Sequence, residues 1–291
     1  MSSRNDWRVM KNWIFYIPRA VLSRIVGFLC EIRFMAPLST LILRLFVKFA
    51  GIDMIESDKP LKKMQSIQDV FTRKLREGAR PVGEGVCAPA DGQLTLAEAV
   101  GAGQATQVKG LTYSLNELCF AAENRLHAPS KAEFFWQFTV YLAPHNYHRV
   151  HSPVTGKLQR VRYIPGERWP VNQKFVSLVP GLFVKNERAV FEIEMSPHLK
   201  AYVVMVAALN VGKIQSRFWP TMEIEAKACS LAGTTTSKLL GVEVKTGDEL
   251  GVFALGSTVV TVFERSEPDV NLTWQEFQQP YPVRMGESIS A

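Results

Sequence analysis

Cysteine is scarce in this chain: Cys30, Cys87, Cys119 and Cys229 lie far apart among 291 residues, with no Cys-x-x-C pair. That spacing argues against a disulfide framework and against a zinc site, and fits reduced thiols in a cytoplasmic setting. Long uncharged runs are missing where an anchor would be sought. In the first fifty residues the longest is FMAPLSTLIL (34–43), well short of the ~20 residues a spanning helix needs. The apolar stretches there are interrupted by arginine and lack a small-residue cleavage site, so no signal peptide is expected. Repeats, low-complexity tracts and nucleic-acid-reading motifs are absent, and nucleic acid is not an expected partner. Acids are rare at the start, where Asp6 and Glu31 face eight lysines and arginines, so residues 1–50 carry +6 of the net charge of +7.

What that first segment does contain is apolar, aromatic and basic at once. Pro18 and Pro37 divide it; Ile25, Val26, Phe28, Leu29 and Ile32 follow helical spacing, and Arg44 and Lys48 stand four apart on an otherwise apolar stretch. Trp7, Trp13, Phe15 and Tyr16 add interfacial aromatics. Basic amphipathic helices of this kind lie on anionic membrane surfaces, and the competing reading is a helical subdomain packed on a core. Residues 66–81 read as a short helix opened by a Ser or Asp cap and stopped by Gly78 and Pro81. Beyond it β signals dominate, in residues 133–144, 189–195, 200–214, 221–228 and 249–264, with an edge strand expected in the tail. The expected fold class is α+β: N-terminal amphipathic helices over 1–65, then a mainly antiparallel β sandwich or barrel-like catalytic domain over 66–291.

Three stretches carry candidate chemistry. PHNYHRVHSP holds His145, His148 and His151; no acid or cysteine stands close by to complete a metal site, so none is expected, and a fixed turn would make His148 or His151 a general base. In PADG, Asp91 before Gly92 reads, alone, as an Asx turn. FALGSTVV (253–260) places Gly256, Ser257 and Thr258 inside what otherwise reads as a buried strand, where glycine weakens the ladder and hydroxyls need partners. Asp91, His151 and Ser257 together supply an acid, a base and a nucleophile, a constellation recognised by geometry rather than order.

With LGST (255–258), YHRVHSPVTG (147–156), PADG (89–92), FTRKLREGARPV (71–82), NER (186–188) and VRMGE (283–287), in that family's order, the sequence resembles the bacterial phosphatidylserine decarboxylase proenzyme from about residue 20 onward. It departs at Gln173, where related sequences often carry His, and at Val252, where a basic residue is common.

The resemblance implies self-cleavage between Gly256 and Ser257, giving a large chain 1–256 and a small chain 257–291. The serine becomes a covalent pyruvoyl cofactor, the electron sink for decarboxylation of phosphatidylserine to phosphatidylethanolamine. His151 oriented by Asp91 would activate the Ser257 hydroxyl, Thr258 would support the oxyanion, and His148 would return a proton to the substrate, with the roles of the two histidines left open. Expected partners are phosphatidylserine, an anionic membrane surface and the two fragments as a heterodimer, with pairing of heterodimers left open. The expected place is peripheral, on the cytoplasmic face of the inner membrane. The rival readings are a membrane-surface serine lipid hydrolase with Ser257 intact, and a non-catalytic lipid-binding β domain. LGST lacks the flanking glycine of a G-x-S-x-G elbow.

Overall fold

A computed structural model describes residues 19–33, 35, 38–101, 103–108, 111–121, 132–209, 213–222, 234–254 and 257–291. The four N-terminal aromatics, most of the expected strand 221–228, Cys229, Leu255 and Gly256 lie outside the described residues.

The chain enters through two helices, α1 (Arg19–Glu31) and α2 (Leu38–Ala50). One stripe of α2 is satisfied within the protein: Leu43 is buried with Ile52, Met64 and Val70 in a small core of its own. A second stripe, Leu38, Leu41, Leu45 and Phe49, is exposed, as are Leu22, Ile25, Phe28 and Leu29 on α1. Spacings of three and four place each set on one helix face. Among the described residues no helix is long and apolar enough to cross a membrane.

The third helix is shorter than the sequence suggests. It spans only Ile67–Phe71 (α3), opened by a capping box in which the Ser66 side chain accepts from the Asp69 amide and Asp69 answers at the Ser66 amide. The helix stops because its next carbonyls are used elsewhere. Those of Thr72 and Arg73 accept from the Arg149 guanidinium, and residues 74–76 bond to 56–58.

The remaining elements are β1 (Gly92–Ala99), β2 (Gln104–Val108), β3 (Leu111–Ser114), α4 (Leu115–Phe120), β4 (Glu133–Leu142), β5 (Arg149–His151), β6 (Gly156–Ile164), α5 (Gln173–Val176), α6 (Leu182–Lys185), β7 (Arg188–Ser196), β8 (Leu199–Val206), β9 (Ile214–Gln215), β10 (Thr236–Val244), β11 (Glu249–Phe253), β12 (Ser257–Arg265) and β13 (Tyr281–Val283). Eight strands form an antiparallel sheet in the order β10-β6-β7-β8-β12-β4-β1-β13, open at both edges. A second sheet, β5-β11-β9, carries the histidine-bearing strand, and β2-β3 is a hairpin. The class is α+β and mainly antiparallel, as expected, and the large sheet does not close into a barrel. The single expected strand 249–264 is two: β11 and β12 belong to different sheets, and the chain passes between them at 254–256.

β12 is the structural centre. Residues 257–264 are all buried, and the strand is paired along its length with β4 on one side and β8 on the other. A strand covered on both faces reads as a nearly continuous apolar run, which is what STVVTVF provides. Gly92, opening β1, passes so close to β4 that a Cβ there would collide with the Tyr141 carbonyl. The PADG glycine is thereby explained by backbone approach.

The NER residues are architectural. Asn186, fully buried, accepts from the Trp169 amide and donates to the carbonyls of Trp169 and Ala207, while Glu187 pairs with Arg168. The Arg188 guanidinium, 2% exposed, donates to the carbonyls of Glu117, Leu118, Val184 and Asn186. It thereby closes the C-terminal ends of α4 and α6 onto β7. Arg188→Met should therefore lower the unfolding free energy by about 3–5 kcal/mol, because four carbonyls, two of them buried and two part-buried, lose their donor at once. In the same urea titration Arg284→Gln, which removes an exposed ion pair to Glu56, should cost less than about 1 kcal/mol.

Candidate active site

The motifs scattered through the sequence meet at one end of the large sheet. Ser257, the first residue of β12, is registered against Leu142, the last residue of β4. From Leu142 the chain turns through 143–147 into His148, and the His148 carbonyl accepts from the Phe253 amide at 3.0 Å, just before the passage to Ser257. The PADG and histidine stretches are joined by the His151 amide donating to the Pro89 carbonyl at 2.8 Å. VRMGE lies on PADG: the Met285 amide donates to Asp91 Oδ1 at 2.9 Å, and the Gly286 amide to the Ala88 carbonyl at 3.0 Å.

Ser257 and Thr258 are 0% and 1% exposed, and neither hydroxyl has a hydrogen-bond partner among the described residues. The hydroxyls of Thr139 and Thr261 share that condition, but Ser257 and Thr258 are the adjacent pair, at the start of the strand. His148, also fully buried, has another such atom in its Nε2. Its Nδ1–H donates to the Asn146 carbonyl at 2.9 Å, which assigns the neutral tautomer and leaves Nε2 with the lone pair. Phe71 packs edge-on against the ring at 5.2 Å. Burial pulls the His148 pKa down to about 4, a nearby Arg73 adds to the fall, and the bond to Asn146 and the charge of Asp91 oppose it.

His151 adopts the same tautomer by different means. Its Nδ1–H donates to the Gly247 carbonyl at 2.7 Å, and the Tyr147 hydroxyl sits 3.0 Å from Nε2. Burial lowers its pKa as well, and raises that of Tyr147, which stays a neutral donor.

Asp91 does not hydrogen-bond to His151, contrary to the expected acid–base pair. Its carboxylate is taken by Arg80, at 2.9 Å from Nε and 2.6 Å from a terminal nitrogen, and by the Met285 amide. Its charge still reaches both imidazoles and raises their pKa values against burial. The carbonyl of Gly247 performs the orienting role expected of the acid. Gly256 is outside the described residues, and His145 contributes its backbone carbonyl to Arg73 rather than its ring to the site. Of the two departures, Gln173 is exposed at the start of α5, and Val252 is buried in β11.

The sequence did not single out Arg73, Arg80, Gly247 or the bond from Tyr147. Arg73 and Arg80 stood in a quoted motif, but nothing in their spacing distinguished them from solvated bases. A cavity of about 580 Å³ lies beside Phe135, Trp136, Arg265 and Trp274, at the opposite end of β4 from Leu142 and away from these residues.

The phosphatidylserine decarboxylase family model matches residues 67–291. Among curated relatives, the phosphatidylserine decarboxylase proenzyme of Acinetobacter baylyi is 34% identical, over 94% of this chain and 92% of its own. That of Alcanivorax borkumensis is 36% identical over 86% of this chain and 85% of its own. The Myxococcus xanthus protein is 32% identical over 98% of both. With the family model matched over residues 67–291 and relatives aligned over most of their length, this chain belongs to the phosphatidylserine decarboxylase family.

Proposed function

We propose that the chain is a self-processing, pyruvoyl-dependent decarboxylase that converts phosphatidylserine into phosphatidylethanolamine and CO₂, with Ser257 the source of its cofactor. The observation that carries this reading is the Ser257 hydroxyl: fully buried, without a partner among the described residues, and at the first position of the central strand. Most buried hydroxyls that serve only structure are bonded. Here it is available to its own backbone.

Self-cleavage proceeds in balanced steps. Ser257 Oγ attacks the carbonyl of residue 256, whose missing side chain leaves the approach clear. A histidine takes the hydroxyl proton and passes it to the departing Ser257 nitrogen, so an ester replaces the amide. Loss of the Ser257 α-proton then expels the 256 carboxylate, and the dehydroalanine left behind tautomerises and is hydrolysed to pyruvoyl with release of ammonia. We assign the base to His151, whose Nδ1–H is fixed by Gly247 and whose Nε2 exchanges the Tyr147 hydroxyl for that of Ser257. Asp91 supports it through charge rather than contact.

The orphaned hydroxyl of Thr258 and the lone pair of His148 suit a carbonyl group at position 257 and a proton carrier beside it. When formed, the pyruvoyl supplies an electrophilic carbonyl that draws off the electrons left by CO₂. Thr258 would donate to a developing oxyanion, and His148 Nε2 would first take a proton from the substrate's ammonium and then return it to the carbon that lost its carboxylate. The fragments 1–256 and 257–291 stay together because β12 is bonded on both sides, β13 pairs with β1, and Trp274 stacks on Trp136 at 4.7 Å. The substrate is a bilayer lipid, and the exposed apolar faces of α1 and α2, with exposed Arg44 and Lys48, offer a peripheral hold on an anionic surface. We place that surface at the cytoplasmic face of the inner membrane.

Ser257→Ala should run as one uncut, inactive chain in denaturing electrophoresis with intact-mass analysis; processed fragments from that variant would overturn the cofactor assignment. His151→Ala should remain uncut, whereas His148→Ala should be cut yet lose decarboxylation by about a hundredfold or more; the reverse pattern exchanges their roles. Because burial disfavours the imidazolium, acid must reach below the ordinary 6.5 to protonate either ring, to about 4 for His148. Precursor cleavage should thus be flat from neutral pH down through 6.5 and fall only below it, and an inflection at 6.5 would contradict a buried base. Leu45→Glu with Phe49→Glu should reduce co-sedimentation with phosphatidylserine vesicles about tenfold or more, and unchanged sedimentation would show that this face does not touch lipid.

A further inference from the structure

Arg73, two residues beyond α3, is a cation that the protein buries without a counter-ion. It is 5% exposed, and among the described residues no carboxylate lies within ion-pairing distance. One terminal nitrogen donates to the Val70 carbonyl at 3.3 Å and the other to the His145 carbonyl at 3.2 Å, both long bonds to neutral acceptors. Its Nε–H has no acceptor among the described residues. Of the acids near it, Asp91 and Glu56 are committed to Arg80 and Glu249 to Arg149, while exposed Asp53 reaches Arg73 through charge without an ion pair. Charges removed from water are normally paired, so an unpaired one implies an anion that the chain does not itself contain.

Its position says which anion. The stretch 71–73 is packed along the histidine turn, with Phe71 against the His148 ring and the Thr72 and Arg73 carbonyls held by Arg149. The charge of Arg73 is felt at His148, and those of Asp91 and Asp53 at Arg73. A cavity of about 330 Å³ opens at the neighbouring residue, its wall including Thr72, Arg149, Trp219 and Glu249 but not Arg73 itself. A guanidinium fork with unused donors suits two oxygens of one carboxylate or phosphate.

We propose that Arg73 binds an anionic oxygen pair of the phosphatidylserine headgroup, from its carboxylate or its phosphodiester, and so positions the substrate against His148. This rests on the decarboxylase reading above. A purely structural role predicts something different: loss of a structural cation weakens the fold, whereas replacing an unpaired buried charge by an apolar chain of similar length does not.

The test uses processed full-length protein with wild type, Arg73→Met and Arg73→Lys in parallel. Both variants should self-cleave, and Arg73→Met should melt at or above the wild-type temperature. Its KM for phosphatidylserine in mixed micelles should rise about ten- to a hundredfold, with a smaller change in kcat, and Arg73→Lys should recover part of the loss. Binding of O-phospho-L-serine and of phosphoethanolamine identifies the oxygens. If Arg73→Met weakens both probes, the phosphate is held; if it weakens only O-phospho-L-serine, the carboxylate is held; if it weakens neither, the proposal is overturned. An uncut Arg73 variant, a KM within about twofold of wild type, or a melting temperature that falls together with activity would also overturn it. Wild-type protein that neither cuts itself nor releases CO₂ would instead sink the underlying function, so the two failures are distinguishable.

Discussion

The arrangement at this site depends on a hydroxyl denied a partner. Leaving a buried Ser257 Oγ unbonded costs about 1–3 kcal/mol relative to a satisfied group, and Thr258 adds a second such cost one residue on. A protein holds groups in that condition only where the surroundings over-determine their positions. Here β4 and β8 do so, clamping β12 from both sides along its length. Stability invested in the middle of the sheet sustains instability at its end.

The same balance governs the histidines. Both are desolvated, both present Nε2 as the basic nitrogen, and both owe that tautomer to a backbone carbonyl. A carbonyl fixes a ring without donating a full charge to it, so burial dominates and the imidazoles stay neutral where free histidine would be half protonated. Asp91, bonded to Arg80, biases the local field without touching either ring. Arg73 is the counterpart, a buried charge with no ion pair among the described residues, and on the proposal above it receives an anionic group of the substrate.

Much of this was legible in the residues. The strands expected over 133–144 and 189–195 formed as β4 and β7 from branched and aromatic runs bounded by turn residues, and the oddity of Gly256-Ser257-Thr258 in a buried stretch was visible without coordinates. Other features were not. The helix expected to be stopped by Gly78 and Pro81 ends at Phe71, where Arg149, far along the chain, takes the carbonyls of Thr72 and Arg73. The strand expected over 200–214 ends at Val206, and Ile214–Gln215 pairs in the second sheet. The strand expected to run from 249 to 264 is divided between two sheets, since periodicity reports which residues are apolar and not which neighbour each segment pairs with.

By itself, then, the sequence supplied the candidate groups: a hydroxyl following glycine, two histidines three residues apart, an acid before a turn, and a basic apolar beginning. Those are properties of residue type and local spacing. Only the tertiary structure decided which nitrogen of each histidine carries the proton, that Asp91 belongs to Arg80, and that Arg73 has no ion pair among the described residues. Those outcomes rest on contacts such as His151 to Gly247 and Met285 to Asp91, which lie 96 and 194 residues apart. Hydrogen bonds act over about 3 Å, and only folding brings such distant groups within that reach.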